Sequence, residues 1–62
     1  MTTQTFQFRQ IIEFTKTLDG VCHIDSGDLA IYLGNSQAKI LTGKSKNWVV
    51  CLDITAPVVA YN

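Results

Sequence analysis

The acidic residues, the histidine and the cysteines are the side chains of this sequence that could do chemistry, and their spacing limits what they could do. A general acid–base site requires two carboxylates in one cleft, whereas the acids here are scattered among positions typical of turns and caps. Cys22 and His23 are adjacent, so on a strand their side chains would point to opposite faces and could not act as nucleophile and base. We therefore expect no enzymatic activity, no catalytic residue and no cofactor.

The two cysteines, Cys22 and Cys51, both lie among apolar residues. In a reducing compartment such thiols are expected to be buried and to pack as small hydrophobes, although the sequence leaves a disulfide open. A metal site would need more ligands than these thiols and the neighbouring His23 supply. We therefore expect no bound metal.

The length and composition predict one small domain spanning residues 1–62. The chain is 47% hydrophobic and 16% charged, which is typical of a globular protein and not of a disordered one. Its first residues do not form a signal peptide, and its longest apolar run, 48–52, is too short to span a bilayer. We therefore expect a cytoplasmic protein without a membrane partner, and Trp48 in this run is predicted to belong to the core.

Charge is balanced overall but unevenly distributed. The net charge is zero, which argues against a strongly electrostatic nucleic-acid binder. Lys39, Lys44 and Lys46 nevertheless fall within a stretch that contains no acid, and most acids precede residue 29. The chain is thus acidic early and basic in the middle.

These side chains must be positioned by elements that the sequence allows in two arrangements. The first has a helix at 6–18, a short strand at 21–24, helices at 26–33 and 36–45, and strands at 47–54 and 57–61. The second makes "DLAIYL" and "QAKILT" the two strands of a hairpin joined at "GNS".

The helical arrangement is supported by a resemblance. The segment "LAIYLGNSQAKI" resembles the helix-turn-helix core of Cro-type phage regulators and winged-helix transcription factors, which have alanine in the first helix, glycine in the turn four residues later, and isoleucine or valine six residues after that. The residues at matching positions are Leu29, Ala30, Leu33, Gly34, Ser36 and Ile40. The sequence departs from the pattern at Leu41, where those families have a polar residue, and at Gly43, where they have an apolar one.

The resemblance implies an α+β fold, winged-helix or Cro-like, whose second helix lies in the major groove of double-stranded DNA. Gln37 would read adenine, and the lysines would contact phosphates. The implied DNA-binding residues are Ser36, Gln37, Lys39, Thr42, Lys44, Lys46 and Asn47. The implied function is that of a small sequence-specific transcriptional regulator, a repressor of phage or plasmid type. Because so short a chain is marginally stable alone, we expect it to act as a homodimer joined through a C-terminal hairpin.

The hairpin arrangement implies a different class of protein. The chain would then be one helix packed on an antiparallel β-meander. Its function would be that of a small non-enzymatic protein-binding module or inhibitor, which would act on a host or partner protein.

Overall fold

The chain is all-β over the residues that the computed structural model describes, 6–20 and 22–61. The described residues form seven strands in the order β1 Ile11–Phe14, β2 Leu18–Asp19, β3 His23–Ile24, β4 Leu29–Gly34, β5 Gln37–Ile40, β6 Val49–Cys51 and β7 Val58–Ala60. Neither predicted fold is correct, because the helix-turn-helix arrangement and the helix-on-meander alternative both require helices. Within the described ranges, no helix is long and apolar enough to cross a membrane.

Five strands form one antiparallel sheet in the order β6-β5-β4-β1-β7, and β2 pairs with β3 in a separate hairpin. That hairpin lies in the connection between β1 and β4, which are neighbours in the sheet. The buried core consists of Ile12, Phe14, Ile24, Ala30, Ala38, Ile40 and Val58. It therefore lies against one face of the sheet, with Ile24 contributed by the hairpin.

The predicted first helix, 6–18, is replaced by a turn followed by β1. The amide of Gln10 donates to the carbonyl of Gln7 at 3.0 Å, and Arg9 has a φ of 71°, which ends any helical continuation. From residue 11 onward burial alternates, with Ile12 and Phe14 inside. This period of two identifies a strand.

The segment compared with a helix-turn-helix is the β4–β5 hairpin, as the second reading of the sequence proposed. Its turn residues Asn35 and Ser36 have φ of 52° and 61°, the signature of the turns that match the twist of paired strands. Gly34, with φ 84°, takes part in a β-bulge rather than in a corner between helices. The match arose because Ala30 and Ile40 do contact each other, as cross-strand partners on the buried face.

The predicted second helix, 36–45, is wrong: these residues form β5 and part of the loop after it. Hydrogen bonds hold this loop against the residues that precede β4. The Thr42 hydroxyl donates to Asp28 Oδ1 at 3.1 Å, and its oxygen accepts from the amide of Leu29 at 3.0 Å. Ser45, the one buried polar residue in the described chain, donates its hydroxyl to the carbonyl of His23 at 2.5 Å. These bonds fix the β5–β6 loop to both β3 and the start of β4.

The predicted C-terminal strands exist but are shorter than 47–54 and 57–61, and they do not pair with each other. β6 pairs with β5, whereas β7 pairs with β1 at the opposite edge of the sheet. The hairpin through which a dimer was expected is therefore absent from the described chain. The strand predicted at 21–24 is represented by His23–Ile24, and Val21 lies outside the described residues.

Candidate functional site

An apolar cleft of about 510 Å³ lies where β6, the β6–β7 connection and the β2–β3 hairpin meet. Core residues Phe14 and Ile24, which are almost completely buried, line it together with Val50. Two exposed apolar side chains, Leu18 and Trp48, also line it. Trp48 is 49% exposed, so its predicted place in the core is wrong. The volume is within the range of ligand-binding clefts in proteins.

Beside this cleft, the edge strand β6 has backbone groups that are free to pair with a further strand. The carbonyl of Trp48 accepts from Ile40 and the amide of Leu52 donates to Ser36, so residues 48, 50 and 52 bond to β5. Because hydrogen-bonding directions alternate along an antiparallel strand, the amide and carbonyl of Val49 and of Cys51 point away from β5. In the described chain β6 pairs only with β5, and these four groups therefore form an open edge.

A carboxylate and a hydroxyl stand at the end of the cleft, in the turn after β6. Asp53 Oδ1 accepts from the Thr55 hydroxyl at 2.6 Å and from the Thr55 amide at 2.8 Å. These bonds, the hydroxyl bond most of all, stabilise the charged form and lower the pKa of Asp53 below its ordinary value of 3.8. Asp53 is the one charged residue among those that line the cleft.

Both thiols also line the cleft, although they lie far apart in the sequence. Cys22 is half-buried and Cys51 is exposed, and both are free. The prediction that both would be buried is therefore wrong for Cys51, which lies on the outward side of an edge strand. They are two weakly polar groups in an otherwise apolar lining.

A histidine flanked by two carboxylates occupies the neighbouring hairpin and was missed by the sequence analysis, which considered His23 only together with Cys22. His23 Nε2 lies 2.6 Å from Asp25 Oδ1, and Nδ1 lies 3.7 Å from Asp19 Oδ1. The register that opposes Asp19 to His23 brings them together. No cluster of three or more histidine, cysteine or acidic side chains suited to a metal ion occurs in ranges 6–20 and 22–61.

The residues predicted to bind DNA are not collected on one helix. Ser36 and Gln37 lie at the β4–β5 turn, whereas Lys44, Lys46 and Asn47 lie in the loop at the other end of β5. These two groups are separated by the length of a four-residue strand, about 13 Å at ~3.3 Å per residue.

The other two residues predicted to bind DNA, Lys39 and Thr42, lie apart from both groups. Lys39 is exposed on β5, and Thr42 is held in hydrogen bonds with Asp28 and Leu29. A recognition helix built from these residues is therefore excluded, and their contact with DNA stays a prediction.

The sequence contained one signal for the cleft, the run "WVVCL", which combines strand propensity with a complete lack of charge. It could not indicate that β6 would be an edge strand, because strand order depends on pairings far apart in the chain. Comparisons with protein-family models, curated proteins and solved structures found no match.

Proposed function

We propose that this chain is a small protein-binding module that holds an extended segment of a partner polypeptide along β6 and in the adjacent cleft. The observation that carries the proposal is the position of an open strand edge directly beside an apolar cleft. Edge strands recognise extended peptides by adding them to the sheet, with the backbone supplying affinity and pockets for alternate side chains supplying specificity.

The open edge also lacks the features that normally prevent pairing. Proteins protect edge strands with charges, prolines or bulges, but residues 48–52 contain no charged residue and no proline. At the other edge, β7 is preceded immediately by Pro57. The difference favours β6 as the edge that is used.

Trp48 is suited to anchor such a partner. Tryptophan is enriched among the few residues that dominate binding energy at interfaces, and this one stands half-exposed beside a lining that includes Phe14 and Ile24. The Asp53 carboxylate at the cleft end is suited to a basic side chain of the bound segment. The favoured partner is thus an extended segment with alternate apolar residues and a nearby lysine or arginine.

A displayed library of random peptides, selected against the folded chain, tests the proposal. We expect selected peptides to bind Trp48→Ala at least about 30-fold more weakly, the loss that corresponds to a hot-spot residue worth about 2 kcal/mol. Phe8→Ala is the matched control, because Phe8 is an aromatic residue that is 67% exposed and does not line the cleft. The Phe8→Ala variant should bind the selected peptides with the affinity of the parent chain.

N-methylation of the selected peptide tests the strand geometry directly. Methyl groups on alternate peptide amides should abolish binding when they replace the N–H groups that donate to Val49 and Cys51. Methyl groups on the intervening amides, which point away from β6, should leave binding intact. Equal effects in both registers, or selected peptides that bind Trp48→Ala normally, would contradict the proposal.

A further inference from the structure

The face of the five-stranded sheet opposite the core is mostly apolar, which is unusual for a sheet with one buried side. Antiparallel sheets normally alternate apolar residues toward the core with polar residues toward water. Here one row across the sheet runs Tyr61, Ile11, Ile31, Lys39 and Val49, fixed by the strand register and by the hydrogen bond that the Tyr61 amide donates to the Ile11 carbonyl. We call the face that contains this row the outer face.

A second row continues the outer face, with Leu29 opposite Glu13 and Glu13 opposite Val59. None of these residues belongs to the buried core or to the partly buried set packed against it. Val49, Val59 and Tyr61 are about half exposed. An apolar surface of this kind on a small protein indicates an interface.

We propose that the outer face is the interface of a homodimer, in which the sheets of two copies pack face to face about a two-fold axis parallel to β4. The two rows contain one charge of each sign, Glu13 and Lys39, and two copies can pair these charges only if the axis runs in this direction. Lys39 lies on β5 and Glu13 on β1, on opposite sides of β4. A half-turn about an axis that lies between the two sheets and runs along β4 therefore places β5 of each copy over β1 of the other.

This arrangement pairs opposite charges twice. Lys39 of one copy lies over Ile11 of the other, and Glu13 is the next outward residue along that strand, about 7 Å away and within reach of a lysine side chain across sheets about 10 Å apart. A two-fold axis perpendicular to β4 in the plane of the sheet would instead place β5 over β5 and β1 over β1, so that each charge would face the strand that carries the same charge. The charges thus favour one geometry and oppose the other.

The properties of the chain favour a second copy as the partner. Its net charge is zero, so two copies do not repel each other at long range. Seven residues of the described ranges form its buried core, and a domain of this size gains stability from association. The floor of the cleft lies on the other side of the sheet, so the dimer leaves it accessible.

Sedimentation equilibrium of the full chain across micromolar to millimolar concentrations tests the proposal. We expect the apparent mass to rise from 6.9 kDa toward twice that value, and Ile31→Lys, at the centre of the outer face, to remain at the monomer mass. A far-UV circular dichroism spectrum like that of the parent chain confirms that this variant is folded. A chain that stays monomeric at millimolar concentration overturns the proposal.

A charge exchange tests the geometry without depending on the fold of one variant. Glu13→Lys and Lys39→Glu should each raise the dimer Kd about tenfold, because each replaces two opposite-charge contacts, and tenfold corresponds to about 1.4 kcal/mol for the two together. The double exchange should restore the parent Kd. These two residues form no ion pair within one described chain, so rescue reports a contact between copies. Single exchanges that leave the Kd unchanged, or a double exchange that fails to rescue it, overturn the proposed axis.

Discussion

Gly43 should be one of the least replaceable residues of the fold, because two separate effects oppose any side chain there. Its φ of +86° is a conformation that L-residues rarely adopt, and a Cβ at this position would collide with the carboxylate of Asp28. That carboxylate cannot move freely, since Oδ2 accepts from the Asp25 amide at 2.9 Å and Oδ1 from the Thr42 hydroxyl at 3.1 Å. Gly43→Ala must therefore strain the backbone and also displace a tethered group.

The cost follows from these two effects. The left-handed conformation costs an alanine about 1–2 kcal/mol, and loss of the two hydrogen bonds to the displaced carboxylate adds about 1–3 kcal/mol. Gly43→Ala should thus lower the free energy of unfolding by about 2–5 kcal/mol. A 62-residue chain has a total of only about 3–9 kcal/mol at typical values per residue. The variant should therefore lose between about a fifth of that total and all of it.

Gly27 supplies the matched control. Its φ is +95°, but a Cβ there would meet no atom within 4 Å, so Gly27→Ala should cost only the backbone part, about 1–2 kcal/mol. Urea unfolding followed by far-UV circular dichroism and Trp48 fluorescence measures both variants. The same comparison in an Asp28→Ala background removes the collision and should reduce the penalty at Gly43 to that at Gly27. Equal penalties at the two glycines in the parent chain would refute the reasoning.

Two further predictions concern single hydrogen bonds. Ser45→Ala should lower the free energy of unfolding by about 0.5–1.5 kcal/mol in urea titrations, because the partly buried hydrogen bond from this buried serine to the carbonyl of His23 is lost; Ser36→Ala, at an exposed position, should cost less. Thr55→Val should raise the pKa of Asp53 toward 3.8, because the Thr55 hydroxyl is the largest cause of its depression. A depressed pKa stabilises the fold above the unfolded value and loses that contribution as pH falls through the folded value. The variant should therefore lose less stability on acidification below about pH 4, and carboxyl NMR titration should show the shifted midpoint.

The strands with clear propensity could be predicted from the sequence, but their partners could not. The run around Trp48 and the segment after Pro57 were both recognised as strands, and observed strands β6 and β7 lie inside those ranges. Their expected pairing failed because the sheet order is set by β1, which joins β4 on one side and β7 on the other. Such contacts lie far apart in the chain, and no local pattern encodes them.

The helix-turn-helix expectation failed for a geometric reason that concerns Ala30 and Ile40. A small residue, a glycine and a branched residue at fixed spacing bring the outer two together either across a helical corner or across a hairpin. The hairpin is favoured here because Asn35 and Ser36 both adopt positive φ, which twists the chain into paired strands. Ala30 and Ile40 are thus neighbours, but they lie on two paired strands and not on two helices.

The difficulty of recognising the strands and the proposed dimer interface have the same physical origin. A strand is identified in a sequence by strict alternation of apolar and polar residues, and β1 and β4 lack it because Ile11 and Ile31 on the outer face are as apolar as Ile12 and Ala30 on the inner one. In an isolated sheet such outward positions have no reason to be apolar. If a second copy covers them, the apolar residues on both faces become the expected pattern of a strand that is buried on both sides.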